Sequence, residues 1–278
     1  MTTTKAITFP SHSFAERFGS MLKVDSRRML AAPMFYIMLG IAFAVPILVL
    51  VMTSMFGGAE SGMAFTNTWQ IIGSESGSMT AMMGAAMSGA NAQGGAGSAM
   101  DMTAMMNINL MYFMAAIYTC LFISEDFRSG YCKNLFTVRE RKTDYVASKT
   151  VICFIAGALF LLAFFIGGVV GGSVAGLSFE LGHAGSAGLV MCMLAKIFLM
   201  AVFVGIFVLM SVIGRQRSWM SILLALFAGM LMFMMIPMMI PLDSGFMNVG
   251  MCLAGGVIFT IALGAVSDMV LKKSNLID

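Results

Sequence analysis

Long apolar runs separated by short polar segments set the pattern of this sequence. A helix needs about 20 mostly apolar residues to cross the hydrocarbon layer of a bilayer. Six runs of that kind occur, at Met34–Met55, Met102–Ile123, Val151–Val170, Leu189–Ile213, Trp219–Ile236 and Val249–Leu271. We therefore predict an all-α membrane protein in which residues 1–278 form a single transmembrane domain with six spans.

The stretch before the first run has the pattern of an amphipathic helix. Ser13 and Glu16 have the spacing of a capping box, in which the hydroxyl and the carboxylate satisfy backbone donors at a helix N-terminus. Apolar residues such as Phe14 and Phe18 fall on one face and most charges elsewhere. We predict an interfacial helix within residues 1–32; the alternative is a poorly ordered basic tail.

The longest strongly charged segment, Ser124–Lys149, lies between the second and third runs. It contains six of the sixteen basic residues and four acids, with aromatic residues interleaved. This mixture indicates a short amphipathic helix that leaves the membrane and presents a basic face. The alternative is an ordinary loop whose only role is to set the topology.

The distribution of Lys and Arg predicts the orientation. Basic residues precede the first run and follow the second, fourth and sixth, whereas the segments after the first, third and fifth contain none. By the positive-inside rule, both termini and residues 124–149 are cytoplasmic, and residues 57–101 are external. We expect a multi-pass protein of the plasma membrane.

Lys196 is the one basic residue inside an apolar run. An ionisable residue within the membrane is a functional candidate, so Lys196 is a candidate substrate-pathway residue that faces a cavity or an acid such as Glu180. The alternative is that its long side chain snorkels to the outer interface. Nearer the C-terminus, Asp268 and Lys272 have the spacing of an i,i+4 ion pair.

Two segments rich in small residues allow alternative interpretations. Gly167–Gly172 contains two overlapping GxxxG patterns, which favour either a close helix–helix seam or a flexible helix end. The external Gly57–Asp101 segment is rich in Met, Gly, Ala and Ser. Thioethers suit Cu(I), but the spacing of these methionines is irregular and no His or Cys accompanies them. We therefore expect methionine to act as flexible packing there and expect no metal site.

The composition excludes several classes of function. Residues are 59% hydrophobic and 10% charged, which is far from a soluble globular domain. No lysine follows a glycine, so the phosphate-binding GxxxxGK[ST] loop is absent, and the two histidines do not form an HExxH zinc motif. We predict that the chain is not an enzyme, holds no cofactor and does not bind nucleic acid.

The charged segment resembles part of a known family. Its run EDFRSG, followed by a basic helix and by Ser148-Lys149 before the third span, resembles the permease subunits of ABC-2 type transporters. The resemblance is strongest to small bacterial permeases of bacteriocin or lantibiotic immunity and peptide-antibiotic resistance. The long Met-rich external segment departs from those smaller members.

The resemblance implies a function and partners. Residues 124–149 would contain a coupling helix that contacts a dimer of ATP-binding subunits, which bind ATP and Mg. A second permease chain would complete an exporter of an amphipathic or hydrophobic substrate, such as a peptide antibiotic, bacteriocin or drug. The alternatives are a non-transporting scaffold or sensor and a copper-linked ABC-2 permease. The residues implied at or near the ATPase contact are Glu125, Asp126, Phe127, Arg128, Gly130, Tyr131, Lys133 and Phe136.

Overall fold

A computed structural model describes residues 13–56, 65–72, 107–138, 142–181, 185–214, 217–233, 240, 242 and 244–273. In these residues the chain forms eight α-helices and no strand longer than a single bridge, which confirms the all-α prediction. Most of the predicted external segment 57–101, including its methionines, lies outside the described residues. The helices are α1 Phe14–Ala31, α2 Pro33–Phe56, α3 Leu110–Arg128, α4 Tyr131–Val138, α5 Lys142–Ala175, α6 Gly185–Gly214, α7 Ser218–Phe233 and α8 Phe246–Lys273.

Five of these helices, α2, α3, α5, α6 and α8, are long and apolar enough to cross a membrane. The fifth predicted span corresponds to α7, whose 16 described residues extend about 24 Å at 1.5 Å per residue. That length is short of the ~30 Å hydrocarbon layer. The predicted span continues beyond α7 into residues that are not described, so the sixth crossing stays a prediction.

The helices α3 and α6 form the centre of the bundle. α3 packs against α2, α5, α6 and α7, and most residues of its apolar stretch are buried. α2 lies along α5, and α8 lies mainly along α6 and also touches α5, so both are peripheral. Because a bilayer solvates apolar side chains, the exposed hydrophobic residues of α2 and α8 fit a lipid-facing position.

The glycines of the two GxxxG patterns lie in α5 at a close helix–helix seam. The alternative, a flexible helix end, does not describe them. A Cβ atom added at Gly171 would lie 2.7 Å from the Cα of Ile47, and one at Gly167 would collide with the backbone of Phe43. Gly168, by contrast, has 3.6 Å of clearance to Ile71. The glycines therefore allow α2 to approach α5 more closely than any side chain would permit.

At one end of the bundle, residues 65–72 pack against α5, and this segment is called the clasp below. The 3₁₀ turn Thr68–Ile71 donates from the Thr68 amide to the Ser178 carbonyl (2.9 Å), and Trp69 Nε1 donates to the Phe179 carbonyl (3.0 Å). The ring of Trp69 also stacks on Phe165 of α5, with the centroids 6.0 Å apart. This part of the predicted external segment is therefore packed onto the bundle. The opposite end carries α1 and α4 and is called the charged end below.

At the charged end, the structure corrects the predicted limits of the helices. α3 continues beyond the apolar run to Arg128, and α5 already begins at Lys142, before its apolar run. The polar extensions are accommodated because their buried charges are paired: Asp126 of α3 with Lys149 of α5, and Asp144 of α5 with Arg17 of α1. Between α3 and α4 the chain reverses at Ser129 and Gly130, whose φ of 73° is a left-handed conformation that favours glycine.

Candidate coupling site at the charged end

The amphipathic helix α1 forms one wall of the site, and its predicted capping box is confirmed. The Ser13 side chain accepts from the Glu16 amide, and the Glu16 carboxylate accepts from the Ser13 amide. α1 packs along the start of α5. There, Arg17 Nε donates to Oδ2 of the buried Asp144 at 2.9 Å. This ion pair attaches the first turns of α1 to the first turn of α5.

Four charged residues from three helices form a charge cluster behind this wall: Asp25, Arg28, Asp126 and Lys149. Lys149 lies at its centre with no exposed surface; its Nζ is 2.8 Å from Asp25 Oδ1 and 2.7 Å from Asp126 Oδ2. Arg28 forms an ion pair with Asp126 from the other side. The two acids and two bases balance in charge and connect α1, α3 and α5.

Neutral groups complete the charge cluster. Ser148 Oγ donates to Asp25 Oδ2 at 2.6 Å, and the Tyr145 hydroxyl donates to Asp126 Oδ2 at 3.1 Å. The Lys149 ammonium also lies 4.2 Å from the ring centroid of Phe122, within the range of a cation–π interaction. These contacts satisfy part of the hydrogen-bonding capacity of the buried ions, which lowers the cost of burying them.

The electrostatics of Arg28 follow from its position at the rim of the cluster. Partial burial lowers the pKa of its guanidinium, but attraction to Asp126 and Asp25 outweighs this effect and leaves the pKa raised. Arg28 therefore stays charged. Its guanidinium carbon lies 4.4 Å from the ring centroid of Tyr131, the first residue of α4, so the same side chain links the cluster to α4.

The short helix α4 is held on the charge cluster by its inner face. The ring of Phe136 packs edge-on against Tyr145, with the centroids 5.5 Å apart, and Cys132 is almost fully buried. Burial raises the pKa of the Cys132 thiol to about 12, in spite of a hydrogen bond with Tyr145 that lowers it. Cys132 is therefore an inert packing residue that connects α4 to α5.

The residues predicted at the ATPase contact separate into two groups. Glu125, Arg128 and Lys133 are exposed at the charged end, and Gly130 forms the turn between them. Asp126 belongs to the charge cluster and has no exposed surface, while Phe127 is 8% exposed and packs edge-on against Tyr145. The aromatic residues of this set pack inward: Phe127 and Phe136 against Tyr145, and Tyr131 against Arg28. These side chains support the exposed surface from behind.

Sequence reasoning missed the pairing of α1 with the charged segment, in which Asp25 meets Lys149 and Arg17 meets Asp144. These partners are 124 and 127 positions apart in the sequence, so no local pattern connects them. A usable signal was present: Asp25 lies on the same helix as Met21 and Met29, four positions to either side, and all three are buried. A carboxylate on the apolar face of an amphipathic helix requires a buried cation.

Lys196 lies apart from the charge cluster and is completely buried in α6. Its Nζ donates to Asn109 Oδ1 at 3.0 Å, and its carbonyl accepts from the Tyr112 hydroxyl at 2.8 Å. The snorkelling alternative is therefore wrong, because the ammonium does not reach the surface. The predicted Asp268–Lys272 pair is confirmed at 2.5 Å.

The fold and the site define a polytopic helical membrane protein with an interfacial helix and a short helix at its charged end. The sequence pattern of the ABC-2 family transporter proteins matches residues 27–232, nearly three quarters of the chain. The protein belongs to this family and is a membrane-embedded permease subunit of an ABC transporter, which works with an ABC ATPase subunit. Comparison with individual curated proteins and with solved structures gave no match.

Proposed function

We propose that this permease is part of an exporter that moves an amphipathic or hydrophobic substrate, such as a peptide antibiotic, bacteriocin or drug, out of the cell or its membrane. The observation that supports coupling to ATP hydrolysis is the arrangement of the charged end. Glu125 and Arg128 are exposed at the end of α3, and Lys133 is exposed on the short helix α4, which is fixed to the charge cluster. This surface is the proposed contact for the ATPase.

The mechanism follows from how α4 is attached. α4 contacts α3 directly, and through Arg28 and Tyr145 it also contacts α1 and α5. A push on α4 from a closing ATPase dimer is therefore transmitted to several helices at once. Nucleotide binding would shift the balance between two arrangements of the bundle, because the ATPase binds one of them more tightly.

The orientation and assembly belong to the same proposal. The charged end and both termini face the cytosol, the clasp faces outward, and the membrane is the plasma membrane. Two permease chains pair, and the substrate leaves between them. ATP and Mg bind to the ATPase partner and no cofactor binds to this chain, while Lys196 lies along the substrate pathway.

Charge reversal at the exposed surface tests the proposed contact. Glu125→Lys and Arg128→Glu each leave an opposing charge unpaired in the interface, which costs about 2–5 kcal/mol. Each variant should lose co-purification with the ATPase or substrate-stimulated ATP hydrolysis while it still inserts normally. Lys273→Glu is the matched control, since Lys273 is an exposed residue at the last position of α8 and solvated charges contribute little.

The opposite result would contradict the proposed contact. If both reversals leave assembly and stimulated hydrolysis intact, the ATPase binds another surface of the permease. The orientation has its own test with single cysteines at Ser129 and Ser178, both exposed and at opposite ends. An impermeant maleimide added to intact cells should label the cysteine at 178 and not the one at 129; the reverse would contradict the topology.

A further inference from the structure

An apolar groove runs along the membrane-facing side of α5 and α8. It consists of two adjoining cavities of about 310 and 470 Å³ that share Thr150, Val151, Thr260 and Ile261. α6 contributes to the inner cavity, and Phe14 and Phe18 of α1 close the one at the charged end. Almost all of the lining surface is apolar, so a hydrocarbon chain fits the groove far better than a polar group does.

The length of the groove matches one leaflet of a bilayer. On α8 the lining residues extend from Leu253 to Ala265 and recur every three or four positions. That separation corresponds to about 18 Å along a helix at 1.5 Å per residue. Half of a ~30 Å hydrocarbon layer is about 15 Å thick. An extended acyl chain that begins at the charged end would therefore fill the groove.

The mouth of the groove is basic. Lys142, next to the lining residue Thr143, extends from α5 to donate its Nζ to the Leu271 carbonyl of α8 at 2.7 Å. Arg17 lies between Phe14 and Phe18, in an ion pair with Asp144. Four basic residues stand against three acids in the helix ends around the mouth: Arg17, Lys142, Lys272 and Lys273 against Glu16, Asp144 and Asp268. A negatively charged headgroup complements this excess.

We propose that the groove binds one acyl chain of an anionic phospholipid from the surrounding bilayer, with the headgroup at Lys142. The lipid joins α1, α5 and α8, which otherwise enclose an unfilled apolar volume. Binding of this lipid does not depend on the transported substrate or on the ATPase contact. The proposal is therefore distinguishable from the proposed function.

The test is retention of lipid by the purified full chain, measured by native mass spectrometry. The probes are phosphatidylglycerol and phosphatidylcholine with identical acyl chains. Gly264 lines the groove, and a Cβ added there meets no atom within 4 Å, so Gly264→Leu fills the groove without a backbone collision. Gly255 on the same helix is equally open but does not line the groove, so Gly255→Leu is the matched control.

The expected results are specific to the groove and to the charge. The wild-type chain and Gly255→Leu retain phosphatidylglycerol in preference to phosphatidylcholine, and Gly264→Leu loses the bound lipid. Lys142→Gln lowers the preference for phosphatidylglycerol about fivefold, whereas Lys133→Gln, on the exposed side of α4, leaves it unchanged. Equal retention by Gly264→Leu, or loss in both glycine variants, would place the lipid elsewhere and overturn the proposal. Equal retention of the two lipids by the wild type would overturn its anionic specificity.

Discussion

Asp126 offers the sharpest test of the charge cluster, through the substitution Asp126→Asn. The carboxylate pairs with both Lys149 and Arg28 and accepts a hydrogen bond from Tyr145. The asparagine keeps the size of the side chain but leaves two cations with Asp25 as the remaining acid of the cluster. Removing one partner of a buried ion pair costs about 3–5 kcal/mol. Because the Arg28 side chain is 31% exposed and partly solvated, we expect a loss of about 3 kcal/mol.

The assay is equilibrium unfolding of the purified chain in micelles, followed by the fluorescence of its two tryptophans. Asp268→Asn is the control, because it removes the same charge from a pair in which the carboxylate is mostly buried (10% exposed) but its one cation, Lys272, is 61% exposed. An ion pair with a solvated partner contributes about 0.2–1 kcal/mol, so we expect a smaller loss than for Asp126→Asn. Equal effects of the two substitutions on the free energy of unfolding would refute the assignment of a buried, structural charge cluster.

A second variant separates the loss of a charge partner from the loss of packing. In Asp126→Asn combined with Lys149→Gln, one acid and one base are removed together, so the cluster is balanced again. The double variant should be destabilised by less than the sum of the single variants, with a coupling energy of about 0.5–3 kcal/mol for groups in direct contact. Simple additivity would mean that the two side chains act independently.

Three further predictions concern backbone and thiol positions. Gly130→Ala should destabilise the chain by about 1–2 kcal/mol, because Gly130 has a positive φ. Gly19→Ala, in open space within α1, should stabilise the chain by about 0.5–1 kcal/mol. Equal free energies of unfolding for these two variants would contradict the prediction. Gly167→Ala should lower stability by about 1–3 kcal/mol through overpacking, and Gly168→Ala should not, as thermal unfolding in detergent will show. With the other cysteines replaced, Cys132 should resist maleimide at pH 8, since a thiol whose pKa is about 12 is almost entirely protonated there; rapid labelling would contradict its burial.

The sequence predicts the helices of this fold well, because the transfer of apolar side chains from water into the bilayer dominates the free energy of forming them. The runs that become α2 and α6 differ from the observed helices by only a few residues at either end. The capping box likewise places the start of α1, because the contacts that form it are local. By contrast, the ends of α3 and α5 depend on charges that are satisfied only after the helices pack.

The candidate site is predictable only in part, for the same reason. The exposed Glu125, Arg128 and Lys133 are found from a local run of charge. The inward position of Asp126 depends on Lys149, which lies in a different helix, and on Arg28 in α1. Hydropathy assigns a residue to the polar or apolar part of the chain, but it does not show which of several acids meets which base.

The most direct test of the central account, that the charged end contacts the ATPase, is site-specific cross-linking in the assembled complex. A photoreactive phenylalanine analogue at Lys133, exposed on α4, should give an adduct with the ATPase subunit. The same analogue at Met251, which is 61% exposed on α8, serves as the control and should give no such adduct. Absence of the adduct at position 133 in a complex that still hydrolyses ATP, or an adduct at position 251 alone, would contradict the account.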